Sequence, residues 1–207
     1  MSVGKILGRG AIAFMIGLLS AASAGCEDST MPEDNSHIRV LLTDAPSDFI
    51  SKAEVWVSRV NLTPGEDGGD PLDLFAASAE SRMYDLMQLR NGVTADLTGA
   101  VVVEPGMYHQ LRLVVDSAFV TLADGYTFSD GTNSRSLKVP SGAQSGIKVQ
   151  LSDAIDADAG DNTTVVVDFD VDRNFVIQGN PGMPSGMQGI LFTPVLHEKS
   201  RSRSGES

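Results

Sequence analysis

Four aspartates crowd the stretch Ser152–Asn162 (SDAIDADAGDN): Asp153, Asp156, Asp158 and Asp161. Calcium is a hard cation that takes about six to eight oxygen ligands, and Asp-x-Asp-x-Gly loops deliver them by turning tightly. Asp156-Ala157-Asp158-Ala159-Gly160-Asp161 has part of that form, without the full EF-hand spacing or its closing glutamate. These four are the candidate calcium ligands; a solvated acidic hairpin loop between Leu151 and Thr163 is the plainer expectation. Asp168, Asp170 and Asp172 alternate along one strand face and form a second, weaker set. Met183 and Met187 lie in the Gly/Met/Pro loop Gln178–Gly189, where soft-metal binding competes with a simple flexible loop. No resident cofactor is expected beyond that calcium option.

Nucleophilic catalysis requires a nucleophile, a base and an orienting group within reach of one another. The histidines are His37, His109 and His197. His37 and His197 adjoin the two ends of the folded region, and His109 falls on the inward phase of its strand, where a partly buried structural histidine is the usual outcome. The chain has no Gly-x-Ser-x-Gly elbow, His-Glu-x-x-His pair, phosphate loop or dinucleotide fingerprint. A non-enzyme with no catalytic residues is expected. The enzymatic alternative is an envelope hydrolase built on His109 and nearby acids.

Cys26 is the single cysteine. Before it come a basic start (Lys5, Arg9), an apolar run (Ala11–Leu19, AIAFMIGLL) and then small residues, the order of a secretory signal. The charge-free stretch Gly10–Cys26 ends in Ser, Ala and Gly, and falls short of the roughly 20 strongly apolar residues of a spanning helix. Ala22-Ser23-Ala24 would suit ordinary cleavage after Ala24. Ser23-Ala24-Gly25-Cys26 resembles the lipobox of bacterial lipoproteins, although Ser23 stands where that pattern prefers Leu, Val or Ile. A lone exposed thiol risks mispairing in an oxidising compartment, whereas a lipidated one does not. Cys26 is therefore read as the lipidation site, with residues 1–25 as signal. Each buried CH₂ of an acyl chain contributes about 0.8 kcal/mol, and two or more chains make anchoring stable.

The net charge of −12 becomes −14 once residues 1–25, with their two basic and no acidic residues, are removed. Nucleic acid is excluded as a partner, since it demands a basic surface. Anionic lipid is disfavoured for the same reason. No disulfide is available, so a core must hold the fold.

The elements that would position these groups are strands. Glu27–Ser36 reads as a polar tether. Ile38, Val40 and Leu42 alternate, and Asp44-Ala45-Pro46 ends that strand. Ala53–Leu62 is a second strand whose apolar phase slips between Val57 and Val60, predicting a bulge, with Trp56 half-buried. Pro64–Asp70 is an exposed loop. A short helix or turn is expected near Leu74–Glu80, then a strand at Arg82–Leu86, a turn at Asn91-Gly92 and a strand at Asp96–Glu104. After Pro105-Gly106, Leu111, Leu113 and Val115 face inward. Shorter strands follow at Phe119–Leu122, Tyr126–Phe128, Arg135–Val139, Ile147–Leu151, Thr163–Asp170, Asn174–Ile177 and Ile190–Leu196. The Ser-rich, charged tail Glu198–Ser207 reads as disordered.

Five segments occur in order: Leu42-Thr43-Asp44-Ala45-Pro46; Glu104-Pro105-Gly106-Met107-Tyr108-His109-Gln110-Leu111-Arg112-Leu113; Leu137-Lys138-Val139-Pro140-Ser141-Gly142, running on through Gln144-Ser145-Gly146-Ile147-Lys148; Val167-Asp168-Phe169-Asp170 before Arg173; and Thr193-Pro194-Val195-Leu196. Together they resemble the prokaryotic lipoprotein family catalogued as domain of unknown function 4382, over Ile38 to His197. The resemblance implies a β-sandwich attached to a surface and supplies no activity or catalytic residues.

The sequence thus predicts an all-β fold, an antiparallel β-sandwich of Ig-like or transthyretin-like kind with at most one short helix. Its expected parts are a signal at 1–25, lipidated Cys26 and tether at 26–36, the sandwich at 37–197 and the tail at 198–207. The expected role is a non-catalytic binding or structural module of the bacterial envelope, at the outer membrane or cell surface rather than the inner membrane. Its expected partner is a membrane, reached through the lipid. A protein or glycan ligand is left open. A calcium-stabilised adhesion module is the other alternative.

Overall fold

The structure, a computed structural model, describes residues 35–45, 47–65, 69–75, 80–140, 145–183 and 186–205. Cys26, Pro46 and the expected signal and tether up to residue 34 lie outside them. The strands are β1 (Ser36–Thr43), β2 (Ile50–Pro64), β3 (Leu72–Phe75), β4 (Arg82–Asp85), β5 (Ala95–Asp96), β6 (Val101–Val103), β7 (Gly106–Leu122), β8 (Ser134–Leu137), β9 (Ile147–Gln150), β10 (Ile155–Ala157), β11 (Asp161–Asp168), β12 (Phe175–Gly179), β13 (Met187–Phe192) and β14 (Leu196–Gly205). Among the described residues, helical structure is confined to short turns, including a 3-10 turn at Leu86–Gln88 and the single-turn helix α1 (Val171–Asn174). The all-β expectation is met.

Apolar alternation puts one face of each strand out of water, and a single curled sheet brings those faces together. Twelve strands form it, in the order β3-β2-β7-β9-β14-β11-β1-β5, with β4 also on β2, β8 and β10 on β7, and β6 on β1. β12 and β13 make a separate two-stranded ribbon. The spine is the antiparallel pair β2–β7, 15 and 17 residues long. Its register shifts around Trp56, Val57 and Arg59. That is the bulge predicted by the slipped phase, and it adds twist where the strand pair must bend. Asp116 there accepts hydrogen bonds from Ser58 (2.7 Å) and Ser81. Trp56 is half-buried, as expected. Val55, Val57, Val60, Leu62, Leu111, Leu113, Val115, Ile38, Val40, Leu42, Val149, Val165, Val167 and Leu196 all have no exposed surface. At roughly 1.5–3 kcal/mol for each large side chain, this burial is the main stabilising term.

The structure corrects several expectations. The sheet is mixed rather than wholly antiparallel: β1 runs parallel to β11, and β9 parallel to β14. Alternation reports a strand's buried face and carries no strand direction. Leu74 and Phe75 belong to strand β3 on β2, not to a helix; residues 76–79 lie outside the described set. The strand expected over Asp96–Glu104 is two short ones, β5 and β6, both on β1. Asn91 and Gly92 do form a turn, each with positive φ (58° and 84°), the backbone that Asn-Gly pairs favour.

The largest correction concerns the tail. Glu198–Gly205 is most of β14, antiparallel to β11 from Asp168↔His197 to Asp161↔Gly205. Its outward residues are Ser, Lys and Arg, so it has no apolar face to betray it. Backbone pairing and its arginines hold it instead. Arg201 donates to the Ala154 (2.8 Å) and Asp153 (3.0 Å) carbonyls and to Glu198 (2.8 Å). Glu198 also accepts from the Ser152 N–H (3.0 Å) and hydroxyl (3.1 Å). Burial alone would raise the Glu198 carboxyl, but the Ser152 N–H and Arg201 outweigh it and hold it below the usual carboxylate range.

Deleting Glu198–Ser207 removes seven of the eight partners that β14 supplies to β11 and leaves those on β1. At about 0.2–1 kcal/mol per pair, the loss amounts to several kcal/mol, a large share of the roughly 5–15 kcal/mol of a typical domain. The shortened chain is expected to lose its cooperative thermal transition by circular dichroism. An unchanged melting temperature would mean that the tail is dispensable.

Candidate functional site

The expected calcium loop is not an open loop. Its middle is β10, which pairs with β7 through Ile155↔Tyr108 and Ala157↔Gly106, and both Ile155 and Ala157 are buried. Three of the four expected ligands, Asp156, Asp158 and Asp161, converge, but on the Arg203 guanidinium. Asp156 stands 3.4 Å from it, and Asp158 and Asp161 hydrogen-bond to it. Asp153 contributes its backbone carbonyl to Arg201. Among the described residues, no group of three or more His, Cys, Asp or Glu side chains is placed to hold a metal ion. The arrangement works as a clasp between the β10 segment and β14. Surface pairs of this kind are worth about 0–1 kcal/mol each.

The histidines sit on three different strands, β1, β7 and β14. His109 does not take the inward position expected of it. The β2–β7 register shifts between Thr63 and Pro64, so that Gln110 pairs with Thr63 and Tyr108 with Pro64. This extra residue moves Tyr108 into the core, 5% exposed, and leaves His109 half-exposed. The Tyr108 hydroxyl donates to the Glu104 carbonyl (2.8 Å), and burial raises its pKa above the ordinary phenol value.

The second acidic set brings out a group that sequence reasoning missed. The parallel register sets Thr43 beside Asp168. This joins the ends of two motifs, Leu42-Thr43-Asp44 and Val167-Asp168-Phe169-Asp170. Asp44 is 2% exposed. Its Oδ1 accepts the Val171 N–H at 2.8 Å, while its Oδ2 has no partner. Burial pushes the Asp44 carboxyl from 3.8 up to about 7; the Val171 and Ala45 N–H groups oppose the shift, and Asp168 and Asp170 reinforce it. Asp170 caps α1 in a left-handed conformation (φ 44°) and pairs with Arg173 at 3.2 Å. Asp168 pairs with Lys199 at 3.2 Å. Asp172 lies within α1, so the three aspartates do not alternate along one strand.

Asn174 completes this junction. Its amide donates to the Phe169 carbonyl and to that of Val195 (3.1 Å), and its Oδ1 accepts the Val195 N–H (2.9 Å). Phe169, Phe175 and Phe192 pack beneath it, with ring centroids 5.0–6.5 Å apart. Next to Val195 lies an open cleft of about 490 Å³ lined by Pro140, Ile147, Lys148, Gln150, Thr193 and Pro194. It draws on two further motifs. Its walls are largely apolar, with the Lys148 ammonium, the Gln150 amide and the Thr193 hydroxyl as polar groups, a set suited to holding a ligand.

Residues 35–184, more than half of the chain, match the model of a family described as a domain of unknown function, DUF4382, and the chain belongs to that family. The Thr193-Pro194-Val195-Leu196 motif and β14 lie beyond the matched residues. No curated protein and no solved structure matches the chain.

Asp44 makes a pH prediction. Its pKa is higher folded than unfolded, so its contribution is complete below about pH 4 and is lost as pH rises through about 7. Asp44→Asn keeps an acceptor for Val171 and cannot ionise. Between pH 5 and pH 8 the parent is expected to lose about 1–3 kcal/mol relative to this variant in urea titrations. Parallel pH profiles would show that Asp44 does not titrate in that range.

Proposed function

We propose that this protein is a lipid-anchored module of the bacterial cell envelope, a binding or structural domain without catalysis of its own. The observation that carries the reading is the order basic, apolar, small, Cys26, followed ten residues later by the first strand at Ser36. An anchor at Cys26 would hold the sheet near a bilayer through the segment that leads to β1, which lies within the sheet between β11 and β5. No helix among the described residues is long and apolar enough to cross a membrane, so in this reading attachment rests on acyl chains, of which two or more give stable anchoring.

The reading of a non-catalytic role draws support from how the polar groups are used. Asp156, Asp158 and Asp161 are engaged by Arg203, Asp168 by Lys199, Asp170 by Arg173 and Glu198 by Arg201. Recognition then falls to the surface between elements, which a rigid scaffold positions. The cleft beside Pro140 and Pro194 and the turn at the tip of β12–β13 are the places to probe. The Ser152–Asn162 segment is built into the sheet through β10.

Expressed in a bacterial host, the parent is expected to take up labelled palmitate and to sediment with membranes. Cys26→Ser is expected to lose the label and to leave the membrane fraction. Membrane association that survives in Cys26→Ser, or an unlabelled parent, would refute the anchor.

A further inference from the structure

Three of the large apolar side chains that remain exposed line one cleft: Leu72 (37%), Val102 (51%) and Met107 (47%). They come from β3, β6 and β7, three separate parts of the chain. The cleft holds about 450 Å³, and Asn35, where the described chain begins, lines it too. Strand β6 pairs with the first residues of β1 through Ser36↔Val103 and His37↔Val102. The exposed apolar cluster is thus tied by backbone pairing to the start of the domain.

Nine Cα-to-Cα steps lead from Cys26 to Asn35. Even fully extended they reach no more than about 30 Å. A bilayer that holds Cys26 therefore stays within that distance of this cleft. Apolar surface gains by leaving water, and the headgroup boundary is the apolar medium within reach. Asp70 and Glu104 line the same cleft. Carboxylates there are repelled by anionic lipid and accept the ammonium groups of zwitterionic headgroups.

We propose that the Leu72–Val102–Met107 cleft is the membrane-facing end of the domain and docks on a zwitterionic lipid surface. The proposal rests on the anchor at Cys26 and adds an orientation to it. The lipid tail holds the domain near the bilayer, and these three side chains decide which end lies down. Contacts too weak to bind from solution suffice when an anchor keeps them at high local concentration.

The test uses the full chain, purified with its native modification and reconstituted in phosphatidylcholine vesicles. Lipidation consumes the Cys26 thiol, so Met107→Cys can be labelled singly with an environment-sensitive fluorophore. Met183→Cys, exposed and outside the cleft, is the reference. The label at residue 107 is expected to be quenched at least about threefold more than that at 183 by lipids carrying a spin label near the headgroup. Replacing a third of the lipid with an anionic one is expected to erase the difference. Equal quenching at both positions, on protein that floats with the vesicles, overturns the docking and leaves the anchor standing. Failure to float, or labelling of the parent at Cys26, overturns the anchor and the docking with it. A blue shift at residue 107 without vesicles that grows with protein concentration shows a second copy in the cleft, and also overturns the proposal.

Discussion

The structure depends on one antiparallel pairing, β2 against β7. The chain has a single cysteine and therefore no internal disulfide, so its stability comes from apolar burial. One sheet must supply both walls of its own core. A flat strand pair of 15 and 17 residues would hold its apolar faces apart. The register shifts around Trp56–Arg59 bend it, and the two halves then carry different neighbours: β4 and β3 along β2, and β10, β9 and β8 along β7. Ser58 and Asp116 settle their polar groups on each other at the bend. Much of the remaining sheet follows from where these two strands turn.

A second region, where β1 and β11 end side by side, concentrates the buried polar groups. Asp44 holds the N–H of Val171, and Asn174 holds Phe169 and Val195. Three of the five motif segments meet there, and their polar residues are occupied in joining strands. Inside a protein an unmet hydrogen bond is costly, so the fold alone constrains such residues tightly. Only the unpartnered oxygen of Asp44 sets a charge-dependent term against this order.

The features legible in the sequence were those carried by local pattern. Ile147/Val149 and Val165/Val167/Phe169 alternate and are buried; the slipped phase of β2 marked its bulge; Asn91-Gly92 marked its turn. What escaped depends on distant partners. Asp44 reads as an ordinary residue before a turn, and its burial comes from Val171, 127 residues away. His109 was misplaced because a one-residue bulge reverses every side chain beyond it. Leu72 and Phe75 have a spacing that a helix would also show, and β2 decides for a strand. In β14 the hydrophilic run Glu198–Gly205 carries the composition of a disordered tail, yet backbone pairing to β11 and the Arg201 and Arg203 contacts order it. The same arginine accounts for the acidic segment: three aspartates spaced like metal ligands face a cation that the chain itself provides.

The functional account joins these facts to the amino terminus. Under the proposed reading, this sheet domain, with its first strand between β11 and β5, is displayed by an anchor at Cys26. The mass of the amino-terminal peptide of the mature protein, isolated from its native host, tests this most directly. The account predicts a peptide that begins at Cys26 and is heavier by a diacylglyceryl group. A peptide that begins at Gly25, with an unmodified thiol at Cys26, would contradict it.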